Sequence, residues 1–215
     1  MRSRFDEELS RLSSDLTTMG ALCEETILTA VEDLSKGNTD AHQHIAPFVE
    51  EIAGKEKTIE SQCLKLLLQQ QPVASDLRQI SAALKMITDM DRIGVQASEI
   101  AEIIGFLDGR TGSECEYIRQ EAMETIKMVN GAVDAYVKHD VDLANKIIDM
   151  DDIVDDLFCK VKAFLIEMIT NNPDDGGYAL DLLMISKYFE KIGDHAVNIA
   201  EWVIFSETGV HKGGA

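Results

Sequence analysis

The sequence predicts an all-α protein: six long helices arranged as two tandem, pseudo-symmetric three-helix bundles. Three observations carry this. Prolines stand only at 47, 72 and 173, while Leu, Ala, Glu, Lys and Met are common and alternating β-branched runs are scarce. Turn signals recur at intervals too long for strands and right for long helices. The second half of the chain also repeats phrases of the first, in the same order.

The helices follow from their breaks. The first ends at "KGNTD" (36–40). The second ends at "QPVASD" (71–76), where Ser75 or Asp76 can cap the third. "GFLDGRTGS" (105–113) is the longest loop-like stretch and closes the third helix. "KHDVD" (138–142) and "NNPDDGG" (171–177) close the fourth and fifth. The sixth runs into "TGVHKGGA", a tail expected to be loosely ordered.

The duplication is specific. At an offset of 99, residues 91–102 match residues 190–201 at Ile93, Gly94, Ala97, Ile100, Ala101 and Glu102. "AVEDLSKGNTD" from Ala30 resembles "AVDAYVKHDVD" from Ala132 at an offset of 102. The difference fits a change of loop length between the second and third helix of each half. The expected domains are 1–107 and 108–215.

Composition narrows the function. The formal net charge of -19 repels nucleic-acid phosphates, and no basic stripe offsets it. Such a surface suits basic protein patches and cations. No apolar run reaches the ~18 residues of a transmembrane helix. The N-terminus "MRSRFDEELSRL" has no apolar core, so a cytoplasmic location is expected. Cys23, Cys63, Cys115 and Cys159 form no CxxC pair and read as reduced thiols, mostly in core packing.

The repeated phrase carries the candidate chemistry. At about 100° per residue, Glu190, Asp194, Asn198 and Glu201 fall at about 0°, 40°, 80° and 20°, a narrow polar stripe. Ile192, Ala196, Ile199 and Val203 take the opposite face. Asp151 and Asp155 form a second acidic pair on the preceding helix, and antiparallel neighbours can bring the two pairs together. Converging carboxylates need protons or hard cations, so Mg, Mn, Fe or Ca suits them better than a thiolate-seeking metal. The plain alternative is a solvated acidic face.

"QQPVASDLR" from Gln70, "RIG" at 92–94 and "FEKIGDHAVNIAE" from Phe189 resemble the PhoU family of phosphate-signalling proteins, and the similarity spans nearly the whole chain. The resemblance implies two three-helix bundles and a cytoplasmic accessory protein of phosphate uptake. It implies partners in the phosphate ABC transporter ATPase subunit and a sensor histidine kinase, and frequent homo-oligomers. It also implies multinuclear iron or zinc clusters on paired E/D-x-x-x-D motifs.

Carried over, the metal ligands are Asp151, Asp155, Glu190 and Asp194, all in the second half. The corresponding first-half residues are Val49, Ala53, Asp91 and Val95, so the earlier site is expected to be lost. A shifted remnant can draw on Asp91, Glu99 and Glu102, with Glu50, Glu51, Glu56 and Asp89 as further acids of that half. Asn198, Glu201 and His195 can flank the cluster; Asn198 and Glu201 read equally as structural hydrogen-bonding residues, and His195 reads first as a surface or interface residue. Asp76 and Arg78 read as a cap and an ion pair, with a partner contact implied only by the resemblance.

No Glu-x-x-His, P-loop or nucleophile elbow occurs. The expected function is therefore a non-enzymatic regulator. A metal-dependent hydrolase or di-metal redox protein is the alternative.

Overall fold

The computed structural model describes residues 2–69, 73–111 and 116–211. Three helices build the first half: α1 (Arg2–Lys36), α2 (Ala41–Gln69) and α3 (Ala74–Phe106). The second half contains α4 (Glu116–Lys138), α5 (Val141–Asp149), α6 (Asp151–Asn171) and α7 (Gly176–Thr208), with a 3₁₀ turn at Pro173–Asp175. The expected fifth helix is thus two, α5 and α6, interrupted at Met150. Met150 keeps a right-handed backbone (φ -71, ψ -17) and its N–H bonds to Ile147 and Lys146 carbonyls. Its first-half counterpart is Phe48, beside Pro47, which sits inside α2. Both halves therefore depart from the regular ladder at one level, by different means.

Each connection has a local cause. Gly37 (φ 63) ends α1, and His139 (φ 54) ends α4. Asp140 caps α5 by accepting a bond from the Leu143 N–H at 2.9 Å. Asp76, at the third helical position of α3, accepts from the Val73 N–H at 3.0 Å. Gly209 (φ 78) closes α7 through its N–H to Phe205 O.

α1–α3 pack as one three-helix unit and α4–α7 as another. α3 against α7 and α1 against α4 join them, and the buried side chains of both units form one continuous apolar cluster. The α3–α7 joint shows the duplication as geometry. Asp89 of α3 meets His195 Nδ1 at 2.9 Å and accepts from Asn198 Nδ2 at 3.3 Å. Displacing each partner by 99 gives Tyr188 and Glu99, and the Tyr188 hydroxyl donates to Glu99 Oε2 at 3.2 Å. One antiparallel contact is used twice, as a pseudo-two-fold axis requires.

The turn after α1 tolerates only glycine. A β-carbon on Gly37 would lie 2.1 Å from the carbonyl oxygen of Gly109, and the backbone there is left-handed. Gly37→Ala is expected to destabilise the protein by about 2 kcal/mol or more, read as a lowered urea midpoint with unchanged slope.

Candidate metal centre

α6 and α7 run antiparallel and touch where α7 carries Gly193. A β-carbon there would stand 3.6 Å from Val154 Cγ1 and 3.8 Å from both Asp151 Oδ1 and Thr125 Cγ2. A glycine at this point lets α6 approach closely enough for its acidic pair to face that of α7. Antiparallel register sets Asp151 near Asp194 and Asp155 near Glu190. α4 runs parallel to α7 beneath the seam and supplies its floor. Glu121, wholly buried, lies at the Glu190 level, and its Oε2 accepts a 2.5 Å bond from the Ser186 hydroxyl.

The electrostatics record the crowding. Burial, then the charges of Asp194, Asp155, Asp152 and Glu190, pushes the Asp151 carboxyl up to about 6. Burial and Glu190 raise Asp194, against the opposing pull of Lys187 and Lys191. Burial pushes Glu121 up to about 9; the Ser186 bond opposes the rise, and the Glu190 and Asp155 charges add to it. Lys187 contacts Glu190 and lies with its ammonium 5.3 Å from the Phe158 ring centroid. The acidic seam thus carries cations of its own, Lys187 foremost, which would share the carboxylates with any metal.

The predicted quartet is brought to one seam. Among the described residues, no three His, Cys, Asp or Glu side chains stand as a ready-formed metal coordination sphere. The donors at the seam are oxygens, which fit a hard ion. His195 and Asn198 turn away from it to Asp89 on α3. Glu201 lies eleven residues beyond Glu190, about 16 Å along the helix, and does not reach the Glu190 level.

The first half carries the same backbone without the chemistry. Gly94 takes the place of Gly193, and a β-carbon there would lie 3.1 Å from Ile52 Cδ1. Ile52 and Val154 are separated by the offset of 102 that the sequence suggested, so Val49 and Ala53 occupy the Asp151 and Asp155 positions. Met19 and Ile87, both buried, stand where Glu121 and Ser186 do. The proposed remnant does not gather. Glu99 bonds to Tyr188 at the joint, and Glu102 lies about 16 Å along α3 from Asp91. Asp91 instead faces Glu56, whose carboxyl is raised by burial first and by Asp91 second.

The remaining candidates have internal partners. Asp76 is the buried cap of α3, and Arg78 Nε donates to Ser206 O at 3.2 Å, tying α3 to the end of α7. Burial pushes the Cys23 and Cys63 thiols up to about 12, which suits packing. Cys159 is exposed, and Cys115 lies outside the described residues. His211 stacks on Trp202 with ring centroids 4.1 Å apart.

Sequence reasoning missed Glu121, Ser186 and Lys187. A signal existed for Glu121. Ile118, Glu121, Ala122, Thr125 and Val129 fall at i, i+3, i+4, i+7 and i+11, so the acid lies on the apolar stripe of its helix.

Comparison with known proteins bears on the whole chain. The family model "PhoU domain" matches twice, over residues 16–104 and 118–203. A phosphate-specific transport system accessory protein PhoU homolog of Clostridium acetobutylicum is 31% identical over 97% of this chain and 96% of its own. A homolog of the same description from Pseudomonas aeruginosa is 32% identical over 96% of this chain and 86% of its own. The crystal structure of PhoU from Pseudomonas aeruginosa superimposes with a TM-score of 0.88, at 32% identity, covering 96% of this chain and 100% of that one. The phosphate transport system regulatory protein PhoU from Streptococcus pneumoniae shares the fold, with a TM-score of 0.82 at 24% identity over 96% of this chain and 98% of that one. With two matched copies of the family model, full-length relatives and a common fold, this chain belongs to the PhoU family.

Proposed function

We propose that the protein is a non-enzymatic regulator of phosphate uptake and phosphate-starvation signalling. It acts as an adaptor between the ATPase subunit of the phosphate ABC transporter and a sensor histidine kinase. The relatives' description as accessory proteins of phosphate-specific transport supports the setting. No helix among the described residues is long and apolar enough to cross a membrane. On this reading the protein is cytoplasmic, self-associates and reaches the membrane through its partners.

The observation that carries the site is the asymmetry of the halves. Asp151, Asp155, Glu190 and Asp194 meet at one seam, while the equivalent first-half positions hold Val49, Ala53 and Val95, with Asp91 alone of the four kept acidic. One carboxylate-bound metal centre, in the second bundle, is the reading. A metal ion bound there supplies positive charge that neutralises the seam and ties α6 to α7. The chain's own residues then do the rest: Gly193 sets the spacing, Val154 packs beneath, and the exposed acidic helices meet basic patches of the partners. Steered association of this kind weakens with salt.

The test is elemental mass spectrometry on untagged protein purified without chelator, beside Asp151→Ala/Asp194→Ala, together with binding to the transporter ATPase at rising salt. The parent is expected to hold metal and the variant none, and ATPase binding should fall in the variant and with salt. Metal-free parent protein, unchanged partner binding in the variant, or phosphoester turnover lost with Asp194 would each overturn the reading.

A further inference from the structure

The paired acidic motifs lie on α6 and α7, but the seam has a third wall. Glu121 projects from α4 beneath it with no exposed surface. Oε2 is satisfied by Ser186; Oε1 is buried and has no hydrogen-bond partner among the described residues. A buried acceptor left unpaired costs free energy that a fold ordinarily avoids. The fold does not require it here, because Met19 fills the same position in the first half, also fully buried. Ile87 likewise replaces Ser186 there. Acid and hydroxyl are thus present where the four carboxylates are, and both are absent where those carboxylates are absent.

The neighbours place the orphaned oxygen. Ser186 is one helical turn before Glu190 on the same face of α7, about 6 Å away along the axis. Thr125, one turn after Glu121 on α4, reaches the Gly193 level, where Asp151 also stands. The Glu121 side chain therefore ends under the Glu190–Asp155 level rather than in the apolar interior between the bundles.

The geometry points to Glu121 as a fifth carboxylate ligand of the metal centre, delivered by α4 from beneath the seam and oriented by the Ser186 hydroxyl. This rests on the metal reading above and extends it. The site becomes a three-helix, all-oxygen cradle for a hard divalent ion such as Mn²⁺ or Fe²⁺. It also fixes α4 relative to α6 and α7, so metal occupancy bears on the whole second bundle.

Glu121→Gln keeps the shape and the Ser186 bond but removes the group that can ionise onto a metal. Titration with Mn²⁺, followed by the paramagnetic resonance of the free ion, should show binding at least about tenfold weaker than in the parent. Melting in chelator should be unchanged or higher for the variant, while its Mn²⁺-induced rise in Tm shrinks. A purely structural role would lower both melting values together. Parent-like Mn²⁺ affinity in Glu121→Gln overturns the assignment and leaves the quartet standing. A parent that takes up neither Mn²⁺ nor Fe²⁺ overturns the metal reading and this assignment with it.

Discussion

Glu121→Met should make the protein more stable in the presence of chelator, by about 2 kcal/mol near neutral pH. The substitution installs the residue that the first half already uses, Met19, at a position with no exposed surface in either copy. In the folded chain Glu121 is neutral near pH 7, because burial holds its carboxyl up to about 9 against an ordinary 4.5. Keeping a proton that the unfolded chain would release costs about 1.4 kcal/mol for each pH unit above the unfolded value, or roughly 3 kcal/mol at neutrality. Losing the Ser186 bond returns about 1 kcal/mol of that.

The sign of the pH dependence follows from the same shift. A raised folded pKa means that unfolding releases a proton, so stability falls as pH rises between the unfolded and folded values. Asp151, pushed up to about 6 from 3.8, contributes such a fall in the acid range, complete above its folded value. Glu121 continues it from about 4.5 to about 9. Urea midpoints in chelator should therefore decline steadily for the parent between mildly acid and mildly alkaline pH. For Glu121→Met the Glu121 part of that decline should vanish, so the two curves cross at about pH 5, with the parent ahead below it by the Ser186 bond. Parallel curves would mean that Glu121 is ionised in the fold. Because added metal should favour the parent, the order of stabilities inverts when chelator is replaced by Mn²⁺.

Much of this protein is legible in its sequence because helix breaks are written in residues with special backbone demands. Gly37, Gly109, Pro173 and Gly209 all mark real ends or turns, and Asp140 caps as its type and position suggest. The interruption at Met150 is not legible, since "DMDD" holds neither glycine nor proline and the chain stays right-handed through it. The duplication is legible because close approach at the α2–α3 and α6–α7 seams requires glycine twice, at Gly94 and Gly193. Its registry rests on one short echo in sequence, and the paired contacts Gly94–Ile52 and Gly193–Val154 fix the same offsets in space.

The site is legible only in part, for a physical reason. Acid pairs at i and i+4 declare which side of their own helix they share, and Asp151/Asp155 with Glu190/Asp194 do so correctly. They say nothing of a third helix. Glu121 stands alone in "RQEAMETIKM", where an acid is ordinarily a solvated residue, and only its place on the apolar stripe betrays it. His195 follows the interface reading of its position by meeting Asp89 of α3, and Asn198, which shares the acidic stripe in sequence, bonds to the same carboxylate, so both serve the joint between bundles.

A second large effect is expected from writing the second half's chemistry into the first. Val49→Asp, Ala53→Asp and Val95→Asp, with Asp91 already present, reproduce an acidic pair on each of α2 and α3. Gly94 and Ile52 provide the spacing that Gly193 and Val154 provide in the other bundle. In chelator the triple variant should lose about 2–4 kcal/mol, because three carboxylates enter a half-buried seam beside Asp91 and Glu56, where the Glu56 carboxyl is already raised. With Mn²⁺ much of that loss should be recovered, and the number of ions bound per chain should rise above that of the parent. Adding Met19→Glu should tighten the new site if the cradle needs its floor. A triple variant that is destabilised yet gains no ion, beside a parent that binds, would show that the paired motifs alone do not make the centre. Glu121 of α4 and Ser186 of α7 would then account for the difference, since the backbone of the two seams is shared and the floor is where they still differ.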